Sequence, residues 1–132
     1  MTRFFNSIPF SRDLAKTIAF YRDLVGVEPI EQYEKFVLFR DGLAFHDGAS
    51  LHRYAFGDEG DGSPWGRENL VLYFVADDLD ARFERISAEA PILHPIREVP
   101  HGERLFRCLD PDGHVVELGD GAHLSLEEDA PA

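Results

Sequence analysis

The sequence predicts an α+β fold made of two βαβββ modules in a single domain. Two pairs of matching segments carry this prediction. Asp13-Leu14 and Asp78-Leu79 each follow a strand-like run and precede an amphipathic helical pattern, and they lie 65 positions apart. An Asp-Gly turn followed by an apolar run recurs at Asp41-Gly42 and Asp112-Gly113, 71 positions apart. The same order of elements at nearly the same offset indicates a duplicated unit.

The first module, residues 3–46, begins with a strand predicted over residues 4–10, which are rich in aromatic residues. Asp13 is the predicted N-cap of the following helix, and Gly26 has the position of a left-handed C-terminal cap. Apolar residues between these caps recur at helical spacing: Leu14, Ile18, Tyr21 and Leu24. Three short strands over residues 27–33, 35–40 and 43–46 complete the module.

The second module, residues 70–120, repeats this order. We expect a strand over residues 70–76, a helix over 78–89, and strands over 92–98, 103–109 and 115–118. The two offsets differ by six positions, which predicts a longer connection in this module between Pro91 and Arg104.

Residues 47–69 are predicted to link the modules, because glycine recurs there, and residues 51–56 form a short strand-like run within them. Trp65 has two interpretations in this linker. Its ring either covers the core or serves as a lid over a substrate. The tail, residues 121–132, is acidic and is expected to be solvated.

Composition restricts the classes of partner. The 132 residues carry a formal net charge of −12, which disfavours binding to nucleic acid and to anionic membrane surfaces. The single cysteine, Cys108, forms no internal disulfide and is expected to be a packed, inert thiol. The N-terminal residues lack the long apolar run of a secretory signal, so we expect a cytoplasmic protein.

Three segments resemble the vicinal oxygen chelate superfamily, which includes glyoxalase I, bleomycin- and fosfomycin-resistance proteins and extradiol dioxygenases. They are RDLAKTIAFYRDLVGVEP, LYFVADDLDARFERI and FRCLDPDGHVVEL. The resemblance implies that the paired modules form a curved mixed sheet around a concave cavity that binds a small molecule. It also implies a homodimer, and in the catalytic members a divalent metal held by the first and last strands of each module.

The resemblance makes Glu117 a candidate metal ligand, and the 71-residue offset makes His46 its partner. Alternation along the strands predicts that both side chains face the cavity, with Phe45 and Leu118 under the helices. An imidazole and a carboxylate suit Zn, Fe, Ni or Mn. At the first strands, the 65-residue offset aligns Asn6, a weak amide ligand, with Val71, which coordinates nothing.

The function has two candidate interpretations. The first is a glyoxalase- or dioxygenase-like enzyme with a weakly held divalent metal on His46, Glu117 and Asn6. The alternative is a metal-free protein that binds a cationic, aromatic small molecule as bleomycin-resistance proteins do; without metal, His46 and Glu117 are a candidate catalytic acid/base pair. Arg107, His101 and Trp65 are candidate substrate contacts. Arg107 either holds a substrate anion in the cavity or bridges an acid on the outside, and His101 either hangs over the cavity mouth or lies in a surface loop.

Overall fold

The chain divides into two units, each with its own four-stranded mixed sheet, in a computed structural model that describes residues 1–100 and 102–122. Unit one contains Met1–Gly66 together with Pro111–Gly113. Unit two contains the described residues of 67–110 and 114–122. The predicted α+β fold class and the repeated βαβββ order are confirmed.

Unit one has the elements β1 (Phe10–Ser11), α1 (Leu14–Ala19), β2 (Pro29–Gln32), β3 (Phe36–Phe39), β4 (Ala44–Asp47) and α2 (Gly48–Phe56). Both predicted caps are present. The Asp13 side chain accepts a hydrogen bond from the Lys16 N–H, and α1 continues as a π-helical segment, Phe20–Val25, that ends at Gly26. Gly26 has a φ of 93°, which glycine adopts without strain.

The sheet of unit one has the order β1-β4-β3-β2, in which β1 runs parallel to β4 and the other pairs are antiparallel. Its helix-facing side is closed by aromatic packing, since the buried Tyr21 ring lies 4.8 Å from that of Phe45. Because successive side chains of a strand alternate, His46 lies on the opposite face. The predicted orientation of Phe45 under the helix is therefore confirmed.

Unit two has the elements β5 (Val71–Val75), α3 (Leu79–Ser87), β6 (Ile92–Glu98), β7 (Arg104–Leu109) and β8 (Val115–Gly119). Its sheet has the order β5-β8-β7-β6, again with one parallel pair, β5 with β8. Phe83 of α3 packs edge-on against Phe106, whose register partner Leu118 is fully buried. Glu117 therefore projects from the face opposite α3.

Two predicted strands differ from the structure. The first strand is limited to Phe10–Ser11 and an isolated bridge between Ser7 and Leu43, because Phe4 and Phe5 are 83% and 70% exposed and have no core to enter. The strand predicted over residues 51–56 is wrong, since these residues belong to α2. Asp47 starts this helix by accepting hydrogen bonds from the N–H and hydroxyl of Ser50, a cap that outweighs the strand-like composition.

The register also corrects the alignment of the first strands. His46 pairs with Phe10, 36 positions earlier, whereas Glu117 pairs with Tyr73, 44 positions earlier. The first strands are therefore offset by 63 positions, and not by the 65 that align Asn6 with Val71. Phe10, and not Asn6, is the residue that lies beside His46 in the sheet.

None of the helices in the described part of the chain has the length and the apolar run that a bilayer crossing needs.

Candidate functional site

Four side chains form one row across the sheet of unit two. The register pairs His94 with Arg107, Arg107 with Glu117, and Glu117 with Tyr73. One residue thus comes from each of β6, β7, β8 and β5. We call these four residues the charged row. Glu117, one of the two residues at the centre of the sequence prediction, lies in the middle of it.

Arg107 is held on two sides within the charged row. Its Nε donates to Glu117 Oε1 at 2.8 Å, and its Nη1 lies 3.1 Å from His94 Nε2. Because a guanidinium has only donors, His94 Nε2 acts as the acceptor. His94 Nδ1 then carries the proton and donates to the Pro95 carbonyl at 2.8 Å. These two contacts correspond to the tautomer that carries its proton on Nδ1.

Tyr73 joins the charged row to a buried carboxylate. Its hydroxyl donates to Glu103, whose side chain also accepts the Gly121 N–H at 3.2 Å and is only 2% exposed. Burial, followed by the bond to Glu103, raises the pKa of Tyr73 well above its ordinary value. The hydroxyl therefore remains protonated at neutral pH. Gly119 makes room for this pair, since a Cβ atom there would overlap the Glu103 carboxylate.

The corresponding row of unit one is aromatic. Phe36, His46 and Phe10 are register neighbours on β3, β4 and β1, and we call them the aromatic row. The His46 ring lies 6.3 Å from that of Phe36 and 6.4 Å from that of Tyr54. Its Nδ1 lies 2.9 Å from the Asp47 carbonyl, and its Nε2 forms no hydrogen bond within residues 1–100 and 102–122.

The other predicted site residues have different surroundings. Trp65 lies 5.0 Å from Phe10 and stacks on His52 at 5.4 Å, and a Cβ at Gly48 would overlap its indole. These contacts favour the interpretation that it covers the interior of unit one. Asn6 precedes β1, and His101 lies outside the described residues. His46 and Glu117 belong to different units, and their convergence on one cavity stays a prediction.

His94, Tyr73 and Glu103 were not predicted as site residues. A signal for the pairing of Arg107 with Glu117 was nevertheless present, because both lie five positions from Asp112 at the turn of a short hairpin. No comparable signal existed for Tyr73 and Glu103. They meet across β8, which pairs in parallel with β5 and antiparallel with β7.

The family model for the glyoxalase-like domain matches residues 4–123. The chain belongs to the glyoxalase-like domain family. This confirms the resemblance to the vicinal oxygen chelate superfamily that the motifs carried. A search of curated proteins found no match.

Solved structures agree with this assignment. A protein of unknown function from Agrobacterium tumefaciens str. C58 is 40% identical, with 90% of this chain and 94% of that chain covered and a TM-score of 0.85. A lactoylglutathione lyase from the same species is 26% identical, with 90% and 93% covered and a TM-score of 0.66. A fosfomycin resistance protein from Listeria monocytogenes, at 22% identity, 90% and 93% coverage and a TM-score of 0.66, shares the fold.

Members of this superfamily commonly use divalent metals, which need several carboxylate, imidazole or thiolate ligands at one point. The Glu117 carboxylate is bound to a guanidinium, whose positive charge opposes a cation at the same oxygen atoms. Within residues 1–100 and 102–122, no three His, Cys, Asp or Glu side chains are grouped to hold a metal ion. In this arrangement Glu117 would have to give up its contact with Arg107 to bind a divalent metal.

Proposed function

We propose that this glyoxalase-like protein binds a small organic molecule without a resident metal, on the face of the unit-two sheet opposite α3. The observation that carries the proposal is the ion pair between Arg107 and Glu117. The superfamily pattern assigns the Glu117 carboxylate to a metal. In this chain the same carboxylate is paired with the guanidinium of Arg107. The pair is partly buried, with the two side chains 29% and 16% exposed, so bulk water screens it less than a surface pair.

The chemistry of this face suits recognition of a polar group by an amphipathic ligand. The Arg107 guanidinium supplies donors, and Glu117 retains a second carboxylate oxygen as an acceptor. Beside them, Val71 and Val75 of β5 are 47% and 49% exposed and offer apolar contact. A few placed polar groups next to apolar surface are typical of small-molecule sites.

Metal content tests the proposal. Protein purified without chelator is expected to contain well under one metal ion per chain, measured by plasma mass spectrometry. Added Zn, Mn, Ni or Fe(II) is expected to leave its melting temperature unchanged. An Arg107→Gln variant removes the internal cation and is expected to gain a metal-dependent thermal shift that Arg104→Gln does not. Stoichiometric metal that is lost in Glu117→Gln would contradict metal-independent binding.

A second candidate is an enzyme with a weakly held divalent metal on His46, Glu117 and Asn6. Two observations favour it: His46 Nε2 forms no hydrogen bond within the described residues, and the lyase from A. tumefaciens is 26% identical. Conversion of lactoylglutathione that requires added metal, and that is lost in both His46→Ala and Glu117→Ala, would establish this function in place of the first.

A homodimer is also proposed, since it is common in the superfamily. Light scattering coupled to size-exclusion chromatography is expected to give twice the chain mass of 14.9 kDa. A mass of one chain at all concentrations tested would exclude the dimer.

A further inference from the structure

Arg107 has donors that its two internal partners leave unused. A guanidinium carries five N–H groups in one plane. One of them, on Nε, is bound to Glu117, and one on Nη1 is bound to His94. Within residues 1–100 and 102–122 no other acceptor contacts the group, so three N–H groups remain, including one on each Nη at the far end.

The two internal partners also hold Arg107 in place. Glu117 binds one edge of the guanidinium and His94 the other, so the free end points in a fixed direction. An arginine that is already held by its own protein loses less side-chain entropy when a ligand binds. The paired N–H groups at its free end match the two oxygens of a carboxylate.

We propose that Arg107 is the anchor for the carboxylate of a small monocarboxylic acid with an apolar body. This inference rests on the proposed function, which places the ligand on the face opposite α3, and it names the class of that ligand. Carboxylate oxygens bind the free Nη groups, while His94 and Glu117 act as positioning residues that hold the guanidinium.

The apolar body of the ligand lies along β5. Val71, Tyr73 and Val75 alternate onto the face that carries Glu117, since Tyr73 is the register partner of Glu117. They are 47%, 38% and 49% exposed, which is high for apolar strand residues. The apolar surface thus begins one strand away from the ion pair, so the ligand needs only a short spacer between its carboxylate and its body.

The net charge of the protein favours the approach of a cationic ligand, whereas direct contact with Arg107 favours an anion. The net charge of −12 attracts cations, but this field is screened over about 8 Å at physiological salt. At contact Arg107 offers three N–H groups that are free within the described residues, against the one remaining Glu117 oxygen that a cationic amine could use. Glu117 does repel a bound carboxylate. Removal of the Glu117 charge is therefore expected to tighten the binding of an anion, whereas removal of the Arg107 charge weakens it.

The test uses three probes of similar shape: phenylacetate, phenylacetamide and 2-phenylethylamine. Each is titrated calorimetrically into full-length protein that has been treated with EDTA and dialysed. Phenylacetate is expected to bind with a dissociation constant near ~1 mM, and the amide and amine at least about tenfold more weakly.

Variants locate the carboxylate. Arg107→Gln is expected to weaken phenylacetate binding at least about tenfold, and Arg107→Lys about fivefold because the charge remains without the fork. Glu117→Gln is expected to tighten binding about threefold, since its amide oxygen still accepts from Nε while the repulsion is gone. Arg104→Gln is the matched control. Arg104 lies on the same strand but binds Asp80 at 3.0 Å, so this change is expected to alter affinity less than about twofold.

The outcomes separate the inference from the function on which it rests. If the amide or the amine binds as well as phenylacetate, or if Glu117→Gln weakens phenylacetate binding, the carboxylate anchor is wrong while metal-independent binding stands. If none of the probes binds, the anchor is also wrong, and the metal content separately decides the function. If phenylacetate binds only after zinc is added, both are wrong. Circular dichroism of each variant confirms that it is folded.

Discussion

The two modules place opposite chemistry at equivalent backbone positions. His46 and Phe36 of the aromatic row correspond to Glu117 and Arg107 of the charged row at the same 71-residue offset, with the same antiparallel pairing between them. The strand register determines the position of a side chain, and the residue type determines its chemistry at that position. Equivalent backbone positions of the two modules therefore carry different side-chain chemistry.

The modules also differ in the large side chain that packs at the end of the last strand. Gly48 and Gly119 occupy equivalent positions, and each makes room for one such side chain: Trp65 in unit one and the Glu103 carboxylate in unit two. Alanine at Gly119 would overlap a buried, hydrogen-bonded acid. We expect Gly119→Ala to lower the free energy of unfolding by about 3 kcal/mol and Gly48→Ala by about 2 kcal/mol, measured by urea denaturation.

A double variant tests whether overlap with Glu103 causes the loss at Gly119. Gly119→Ala combined with Glu103→Ala is expected to be less destabilised than the sum of the two single variants, because the overlap exists only when both side chains are present. Additive losses would show that overlap with Glu103 is not the cause of the destabilisation.

The next largest effect is expected from the ion pair of the charged row, because unit one has Phe36 and His46 at the positions of Arg107 and Glu117 and so has no such pair there. A double-variant cycle that replaces Arg107 and Glu117 with alanine is expected to give a coupling free energy of about 2 kcal/mol. The exposed pair Arg40–Glu28, at 2.9 Å with both side chains more than half exposed, is the control and is expected to give about 0.5 kcal/mol or less. Equal couplings would mean that partial burial adds nothing.

The N-cap of α2 has no equivalent in unit two, because Leu118 occupies the position that corresponds to Asp47. Burial alone would raise the pKa of Asp47, but hydrogen bonds from Ser50 and the charge of Lys35 together lower it. A depressed carboxyl pKa stabilises the fold above the unfolded value near ~3.9, and this contribution is lost as pH falls below it.

Asp47→Ala is therefore expected to cost about 1.5 kcal/mol at pH 7, with a gap to the native protein that narrows below about pH 4. Thermal denaturation across pH 2.5 to 7 measures it. Asp47→Asn keeps a capping oxygen without a titrating charge and is expected to lose less stability, with no acid dependence of its own. A gap that stays constant to the lowest pH would exclude the carboxylate as the cause.

The sequence was most informative where local chemistry decides the structure. The sequence predicts the caps at Asp13 and Gly26 and the burial of Phe45, because each depends on residues nearby in the chain. The candidate site was predicted only in part, because its contacts join distant segments: Glu103 meets Tyr73 through a parallel strand pairing that no local motif reveals. The helix at residues 48–56 was missed because its only start signal, Asp47 with Ser50, stands in a run of strand-like residues.

The smallest expected effect tests the equivalence of the modules directly. Cys108 corresponds to Val37 at the 71-residue offset, and both are fully buried. Burial, with the nearby Asp110 charge, raises the pKa of the Cys108 thiol to about 12. A raised thiol pKa stabilises the fold below the unfolded value near ~8.5, and this contribution is lost as pH rises toward the folded value.

Cys108→Val is therefore expected to cost no more than about 1 kcal/mol near pH 7, because the first module already packs valine at this position. The thiol of the folded native protein is expected to resist a thiol reagent at pH 8. In guanidinium chloride the unfolded chain is expected to react with one equivalent of the reagent. Fast labelling of the folded protein would show that Cys108 is not buried as Val37 is. A loss of stability in Cys108→Val as large as that of Gly119→Ala would show that the two cores do not accept the same side chain at this position.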